Sequence, residues 1–159
     1  MERIAQALTF VAALGTGLVG GLFFVFSVTI MAALGKLSPA NGIAAMQSIN
    51  VTIVNGAFLS VFMGTAMTCV ALIVGCIFGW VPAGSTLVLA ASVLYLVGII
   101  GVTAVFNVPM NNALEAVRPD SAEGASLWQD YLARWTLWNH VRTLAGVGAS
   151  ALFILAFRA

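Results

Sequence analysis

The chain reads Trp135-Thr136-Leu137-Trp138-Asn139-His140-Val141-Arg142-Thr143 and then continues into Leu144–Phe157, a run without a charged residue. The nine residues Trp135–Thr143 hold two of the four tryptophans and the only histidine. A helix through both parts has its polar side chains at one end and apolar surface along the remainder. The pattern therefore predicts that a few polar side chains lie at the start of an apolar helix, in a chain with few polar side chains.

The composition indicates an integral membrane protein. Of the 159 residues 62% are hydrophobic and only 7% are charged, and the mean hydropathy is +1.09. Soluble domains carry about 25% charged residues, so most of this surface must face lipid. Residues 37–114 contain no charged side chain, and one span needs about 20 residues, so this run holds at least two spans. The net charge of +1 excludes a basic surface for nucleic acid.

We predict an all-α fold, an integral membrane four-helix bundle made of the single domain 1–159. The spans are expected at about residues 4–34, 50–78, 86–106 and 135–157. The charged segment 126–134 is expected to form a short interfacial helix before the last span. The third span is expected to end near Asn107, because Pro109 removes a backbone donor and disfavours helix at Val108. The expected location is a bacterial inner membrane.

Small residues in the first span predict close helix packing. Gly17 and Gly21 form a small-xxx-small pair, and Gly20 adds to the same face. Such residues let two helix backbones approach closely. Two interpretations stay open, which are packing inside the bundle and a homo-oligomer contact through Gly17 and Gly21.

Amide side chains gather in two places. Gln47 and Asn50 lie three residues apart, on one helical stripe, and Asn107, Asn111 and Asn112 surround Pro109. Amides in hydrocarbon are costly unless they are hydrogen-bonded, so both groups should face the bundle interior or the interface. Hydrogen bonding between helices and the lining of a ligand cavity remain alternatives for each group.

The residues around Asn139 and Arg142 are the strongest site candidates. Asn139 and Arg142 share one helix face, flanked by Trp135 and Trp138, while His140 lies about 100° further round. The asparagines near Pro109 lie at the same end of the bundle, because the third and fourth spans are joined there. Arg142 either anchors the helix to backbone carbonyls or headgroups or belongs to a pocket with these amides.

Several chemistries are disfavoured by the residue types present. The chain has one histidine, no acid inside a span and two cysteines in another helix, so we expect no metal site. No glycine-rich phosphate loop follows a strand, and proton carriers normally show acids within their spans. What remains is recognition of a flat, apolar molecule with a few oxygens that arrives from the lipid bilayer. Histidine is the side chain that exchanges protons near neutral pH, so His140 is the candidate base.

Four motifs make the chain resemble the anthrone oxygenase-like membrane proteins, over nearly its whole length. They are Gly21–Ser27, Ile43–Asn50, Asn107–Asn112 and Trp135–Thr143. One departure is Ala32-Ala33-Leu34, where the family pattern has Pro-Ala-Leu. The resemblance implies oxidation of an anthrone to an anthraquinone by molecular oxygen, without metal, flavin or another cofactor.

The resemblance also implies roles for the pocket residues. His140 is expected to act as the base, with Arg142 and Asn139 as donors to the enolate oxygen. Asn107, Asn111 and Asn112 are expected to orient the substrate, and the other candidate substrate-binding residues are Trp135, Trp138, Gln47 and Asn50. The alternative function is a non-catalytic membrane protein that binds a lipid, a quinone-like molecule or a partner helix. In that case His140 and Arg142 only hold helix ends together.

Overall fold

The computed structural model describes residues 2–81 and 84–157, and these residues form five helices and no strand. The helices are α1 (Glu2–Leu34), α2 (Pro39–Thr52), α3 (Gly56–Ile77), α4 (Ser85–Glu115) and α5 (Ala122–Ala156). The prediction of an all-α membrane bundle is confirmed.

Three of the described helices, α1, α3 and α4, are long and apolar enough to cross a membrane. Their outer faces carry exposed large apolar side chains, for example Leu18, Met67 and Val97, whose exposed fractions are 65–73%. Such surfaces are covered by lipid in a membrane protein. The fourth predicted span, 135–157, stays a prediction.

Helix α5 is the element around which the bundle is built. It packs along α1 and against α4, while α3 packs against α1 and against the first half of α4. The second half of α4 packs against α2 and α5 instead. As a result α3 and α4 diverge towards the end of the bundle that carries the α1–α2 and α4–α5 connections. We call this end the loop end, and α2 lies across it.

Helix α4, which contains the third predicted span, does not end at Asn107, and this corrects the prediction. It continues past Pro109 to Glu115, and two wide π-helical turns, Leu96–Gly101 and Thr103–Asn107, precede the proline. A proline normally disrupts a helix because its ring meets the carbonyl four residues earlier and it has no N–H. The altered pairing of the π-turn accommodates both effects, so the helix is distorted instead of broken.

Two other boundaries differ from the expected ones. The segment 126–134 is helical, but it is continuous with α5, which begins where the hydroxyl of Ser121 accepts a hydrogen bond from the Gly124 N–H at 3.0 Å. Helix α3 begins six residues later than expected, after Asn55 accepts from the Phe58 N–H at 3.0 Å. Side-chain caps of this kind satisfy the first free N–H groups of a helix and define where it starts.

A close approach of two helix backbones involves Gly20 of α1 and Gly146 of α5. A Cβ placed on Gly146 would lie 2.7 Å from the Gly20 Cα. Gly17 faces Ser150 of α5, whereas Gly21 is exposed and has nothing within 4 Å of its ideal Cβ position. Packing inside the bundle thus uses Gly17 and Gly20, and a homo-oligomer contact through Gly17 and Gly21 stays a prediction.

Candidate functional site

A cavity of about 260 Å³ lies between the five helices at the loop end of the bundle. Its walls are mostly aromatic and aliphatic, with Phe23 and Phe26 from α1 and Phe58 and Phe62 from α3. Its polar wall residues are Asn50, Thr103, Asn111 and Arg142, beside the indole of Trp135. An apolar cavity of about 150 Å³ holds one benzene molecule, so this one has room for a larger fused aromatic.

Arg142 is a buried cation, with an exposed fraction of 4%. Its Nη2 donates to the Asn139 Oδ1 at 2.8 Å and its Nη1 to the Thr103 Oγ1 at 3.3 Å, while its Nε has no hydrogen-bond partner among the described residues. The guanidinium carbon lies 4.1 Å from the Phe23 ring centroid and 5.0 Å from that of Trp135. Aromatic faces attract the cation but do not neutralise it.

No carboxylate neutralises Arg142 in the part of the chain that the structure describes. The ion pairs found there are Arg118 with Asp120 and Arg134 with Asp130, and both are exposed. Burying an unpaired charge is costly, and buried cations normally have an anion beside them. The site therefore has the electrostatics of a pocket for an anionic ligand.

Asn139 holds Arg142 in place, and in this structure it has no N–H free for the predicted bond to a substrate. Its Nδ2 donates to the Phe23 carbonyl at 2.7 Å and to the Ser27 hydroxyl at 2.8 Å, so both of its N–H bonds are used. Its Oδ1 accepts from Arg142. Ser27 lies in the π-helical turn Phe26–Ile30 of α1, and Phe23 lies about one helical turn before Ser27.

Two of the predicted asparagines line the cavity. The Oδ1 of Asn111 accepts from the Tyr131 hydroxyl and from the Trp135 Nε1, each at 2.8 Å. Asn50 also lines the cavity, and its buried Nδ2 has no hydrogen-bond partner among the described residues. Asn107 is buried behind the wall, where its Nδ2 donates to the Trp135 carbonyl at 3.3 Å. The Nδ2 of Asn111 donates to no described residue either, so Asn50 and Asn111 are the two amides of the cavity wall with a donor left for a ligand.

Three further candidates lie away from the cavity. Gln47 ties α2 to the end of α4, because its Nε2 donates to the carbonyls of Leu114 and Val117 at 2.9 and 3.1 Å. Trp138 stacks on Phe106 with ring centroids 3.5 Å apart. Asn112 is exposed. Gln47 thus has a hydrogen-bonding role and Trp138 a packing role, and none of the three residues lines the cavity.

His140 is also exposed and does not line the cavity. It follows Asn139 directly, so the helical rotation of about 100° per residue turns its imidazole away from the face that carries Asn139 and Arg142. The expected convergence of His140 with the asparagines and Arg142 is therefore corrected by the geometry.

The mouth of the cavity is lined by exposed apolar side chains. Val54, Met63 and Val108 line the cavity and have exposed fractions of 63%, 49% and 41%. They belong to the α2–α3 connection, to α3 and to α4, in the region where α3 and α4 diverge. The mouth thus opens between two of the candidate membrane spans.

Sequence reasoning missed Thr103 and the phenylalanines of the wall. Thr103 stands in an apolar run where nothing in the sequence distinguishes it from other helical threonines. The described residues bring no three His, Cys, Asp or Glu side chains together. The expectation that the protein uses no metal or other cofactor stays a prediction.

Comparison with known proteins gives one match. A family model described as anthrone oxygenase matches residues 57–152, which is more than half of the chain. No curated protein and no solved structure matches significantly. The matched segment includes α3, α4 and the part of α5 that carries Asn139 and Arg142, but not α1 or α2.

Proposed function

The chain belongs to the anthrone oxygenase family, and on that premise we propose that the cavity binds the enolate of an anthrone-like polycyclic phenol and lets it react with molecular oxygen. The observation that carries the proposal is Arg142, a buried guanidinium with no carboxylate beside it in the described structure. An aromatic oxyanion supplies the missing charge, and the phenylalanine and tryptophan rings contact its apolar faces.

Arg142 acts on the equilibrium between the ketone and its enolate. A fixed positive charge in a water-poor cavity stabilises the enolate oxygen more than the neutral carbonyl. The ring carbon opposite the carbonyl therefore loses its proton to water more readily in the cavity than in solution. Asn139 contributes by holding the guanidinium and Asn111 by holding the Trp135 ring.

The electron-rich enolate then reacts with oxygen. A C–O bond forms between the deprotonated ring carbon and one oxygen atom, giving a peroxide. Loss of the remaining hydrogen from that carbon and cleavage of the O–O bond give the second carbonyl, and the other oxygen atom leaves as water. One anthrone and one O₂ thus yield one anthraquinone and one water, with oxygen as the oxidant and no cofactor in the balance.

The test is the conversion of anthrone by the purified protein in detergent or in vesicles under air. Quinone should form and oxygen should be consumed in a one-to-one ratio, and both rates should exceed those in vesicles without protein. A rate equal to the protein-free rate for every anthrone tried would contradict the proposal. Tight binding of a quinone without turnover would favour the alternative of a non-catalytic binding protein.

His140→Ala should leave the turnover of anthrone within about twofold of the parent rate, because the exposed imidazole does not reach the cavity wall. Surface substitutions away from a site normally have small effects. Initial rates over a range of anthrone concentrations give the comparison. A hundredfold loss of turnover in a folded variant would restore His140 as the base and show that the helix rotates during the reaction.

We further propose that the substrate enters from the bilayer, through the mouth lined by Val54, Met63 and Val108. An apolar aromatic dissolves in the lipid, and the exposed apolar rim offers it a continuous path to Arg142. The same proposal includes a bacterial inner membrane as the location, because outer membranes hold β-barrels instead of apolar helical bundles.

Met63→Trp should slow the entry of anthrone from vesicles by about tenfold, which lies within the usual range for variants of one binding surface. Met67→Trp is the matched control, because Met67 lies one helical turn further on, is 73% exposed and does not line the cavity. Stopped-flow mixing of protein with anthrone-loaded vesicles measures the rate. Equal slowing by both variants would point to a general effect of an added indole and contradict the lateral route.

A further inference from the structure

Thr103 is one of the helical hydroxyl residues of the described chain, and these residues do not all use their O–H in the same way. Seven of these residues donate to the carbonyl four positions earlier at 2.7–2.9 Å, namely Thr9, Thr16, Ser60, Thr65, Thr68, Ser92 and Thr143. This bond is the usual use of a hydroxyl in a helix. Thr103 makes no such bond within the described structure.

The surroundings of Thr103 account for the difference. The carbonyl four residues before Thr103 belongs to Ile99, which lies in the π-helical turn Leu96–Gly101, where the carbonyl positions differ from those of an α-helix. Its oxygen accepts from the Arg142 Nη1 at 3.3 Å. The hydroxyl hydrogen must point away from that donor, because a hydroxyl has one hydrogen besides its two lone pairs. Thr103 also lines the cavity.

We propose that Thr103 is a second hydrogen-bond donor to the enolate oxygen, beside Arg142. The inference rests on the proposed function and names one more catalytic residue for it. Arg142 orients the hydroxyl by occupying a lone pair, which leaves the hydrogen for an oxygen held near the guanidinium. The neighbouring amide oxygen of Asn111 already accepts two hydrogen bonds, so it does not compete for this hydrogen.

A pair of donors at this point selects an ionised oxygen over a neutral hydroxyl group. Both the Thr103 hydroxyl and the Arg142 guanidinium donate, and hydrogen bonds to a charged enolate oxygen are stronger than those to a neutral phenol or ketone oxygen. Donors aimed at a developing oxyanion in a dry site act more strongly than donors in water. Thr103 therefore contributes to the ionisation of the bound substrate as well as to its orientation.

The test measures ionisation of bound anthrone in the absence of oxygen. Anaerobic absorbance titration follows the enolate, and its midpoint pH is compared with that of anthrone in detergent micelles alone. Thr103→Val keeps the shape and loses the hydroxyl, so the midpoint should rise by about one pH unit, a tenfold change typical of losing one hydrogen bond to a charged group. Thr103→Ser keeps the hydroxyl and should therefore have the same midpoint pH as the parent protein. Thr68→Val, which loses only a backbone-directed hydroxyl, should not shift it.

The outcomes separate this inference from the proposed function. If the parent protein lowers the midpoint and Thr103→Val leaves it unchanged, the role of Thr103 is overturned while enolate binding stands. If the parent protein does not lower the midpoint at all, both fail. Thermal unfolding checks that each variant is folded, and Thr103→Ala replaces the valine variant if the latter does not accumulate. A purely structural role would lower the unfolding temperature without moving the midpoint.

Discussion

Replacing Arg142 with methionine should lower anthrone turnover by about a thousandfold, the upper range for removing one donor to an oxyanion. The same change should leave the protein at least as stable as the parent. Arg142 is 4% exposed and has no carboxylate partner in the described structure. Exchanging a buried, unpaired charge for an apolar side chain of similar length removes a desolvation penalty of several kcal/mol, which is larger than the cost of leaving the Asn139 Oδ1 without its donor.

The matched control for this experiment is Arg134→Met. Arg134 lies on the same helix, is exposed and pairs with Asp130 at 3.3 Å, so its loss should change neither turnover nor stability measurably. Quinone formation gives the turnover, and thermal unfolding in detergent gives the stability. Retained turnover together with a large loss of stability in Arg142→Met would make Arg142 a structural anchor and contradict the site assignment.

Gly146→Ala should lower the free energy of unfolding by about 3 kcal/mol, the upper part of the usual range for overpacking. The added Cβ would lie 2.7 Å from the Gly20 Cα, and backbone cannot move aside as a flexible side chain can. Helices α1 and α5 would have to separate within two helical turns of the bond from Asn139 to the Phe23 carbonyl. Turnover should fall as well, because Asn139 holds Arg142.

Gly21→Ala is the matched control, since nothing lies within 4 Å of its ideal Cβ position. It should be neutral or slightly stabilising, because alanine is the better helix former. Unfolding followed by circular dichroism in detergent measures both variants. Equal stability of the two would mean that α1 and α5 do not meet as closely as the structure has them.

The general architecture was predictable because it follows from composition and length. The uncharged run 37–114 is long enough for two spans, and helices satisfy their own backbone hydrogen bonds within a membrane. The sequence also predicted that Trp135, Asn139, Arg142 and Asn111 gather at one end, because α4 and α5 are joined there. The structure connects these four through Trp135, whose Nε1 bonds Asn111 and whose ring contacts Arg142.

The rotation of α5 about its own axis was not predictable from the sequence. Asn139 and His140 are adjacent, and which of them faces the cavity depends on the packing of α5 against α1, α2 and α4. That packing is set by distant contacts, such as Gly20 with Gly146. The helix past Pro109 was missed for a similar reason, since its π-helical turns are stabilised by the surrounding bundle and have no local signature.

Thr103 was missed because the sequence gives the residue type but not the backbone hydrogen-bond pattern around it. A threonine in an apolar helix normally donates to its own backbone, as Thr68 does. The π-helical turn before Thr103 and the contact with Arg142 make this hydroxyl available to a ligand, and the sequence shows neither feature. Sites of this kind depend on the exact pairing within a helix, which propensity and periodicity do not determine.

The central claim is that the cavity binds an aromatic oxyanion against Arg142, and a comparison of two ligands tests it directly. Anthrone can ionise to an enolate, whereas 9-methoxyanthracene has the same rings and oxygen position but cannot carry the charge. Energy transfer from tryptophan measures the dissociation constant of each ligand without oxygen, at a pH where bound anthrone is ionised. Anthrone should bind about a hundredfold more tightly, and Arg142→Met should abolish the preference. Equal affinity of the parent protein for both ligands would contradict the claim.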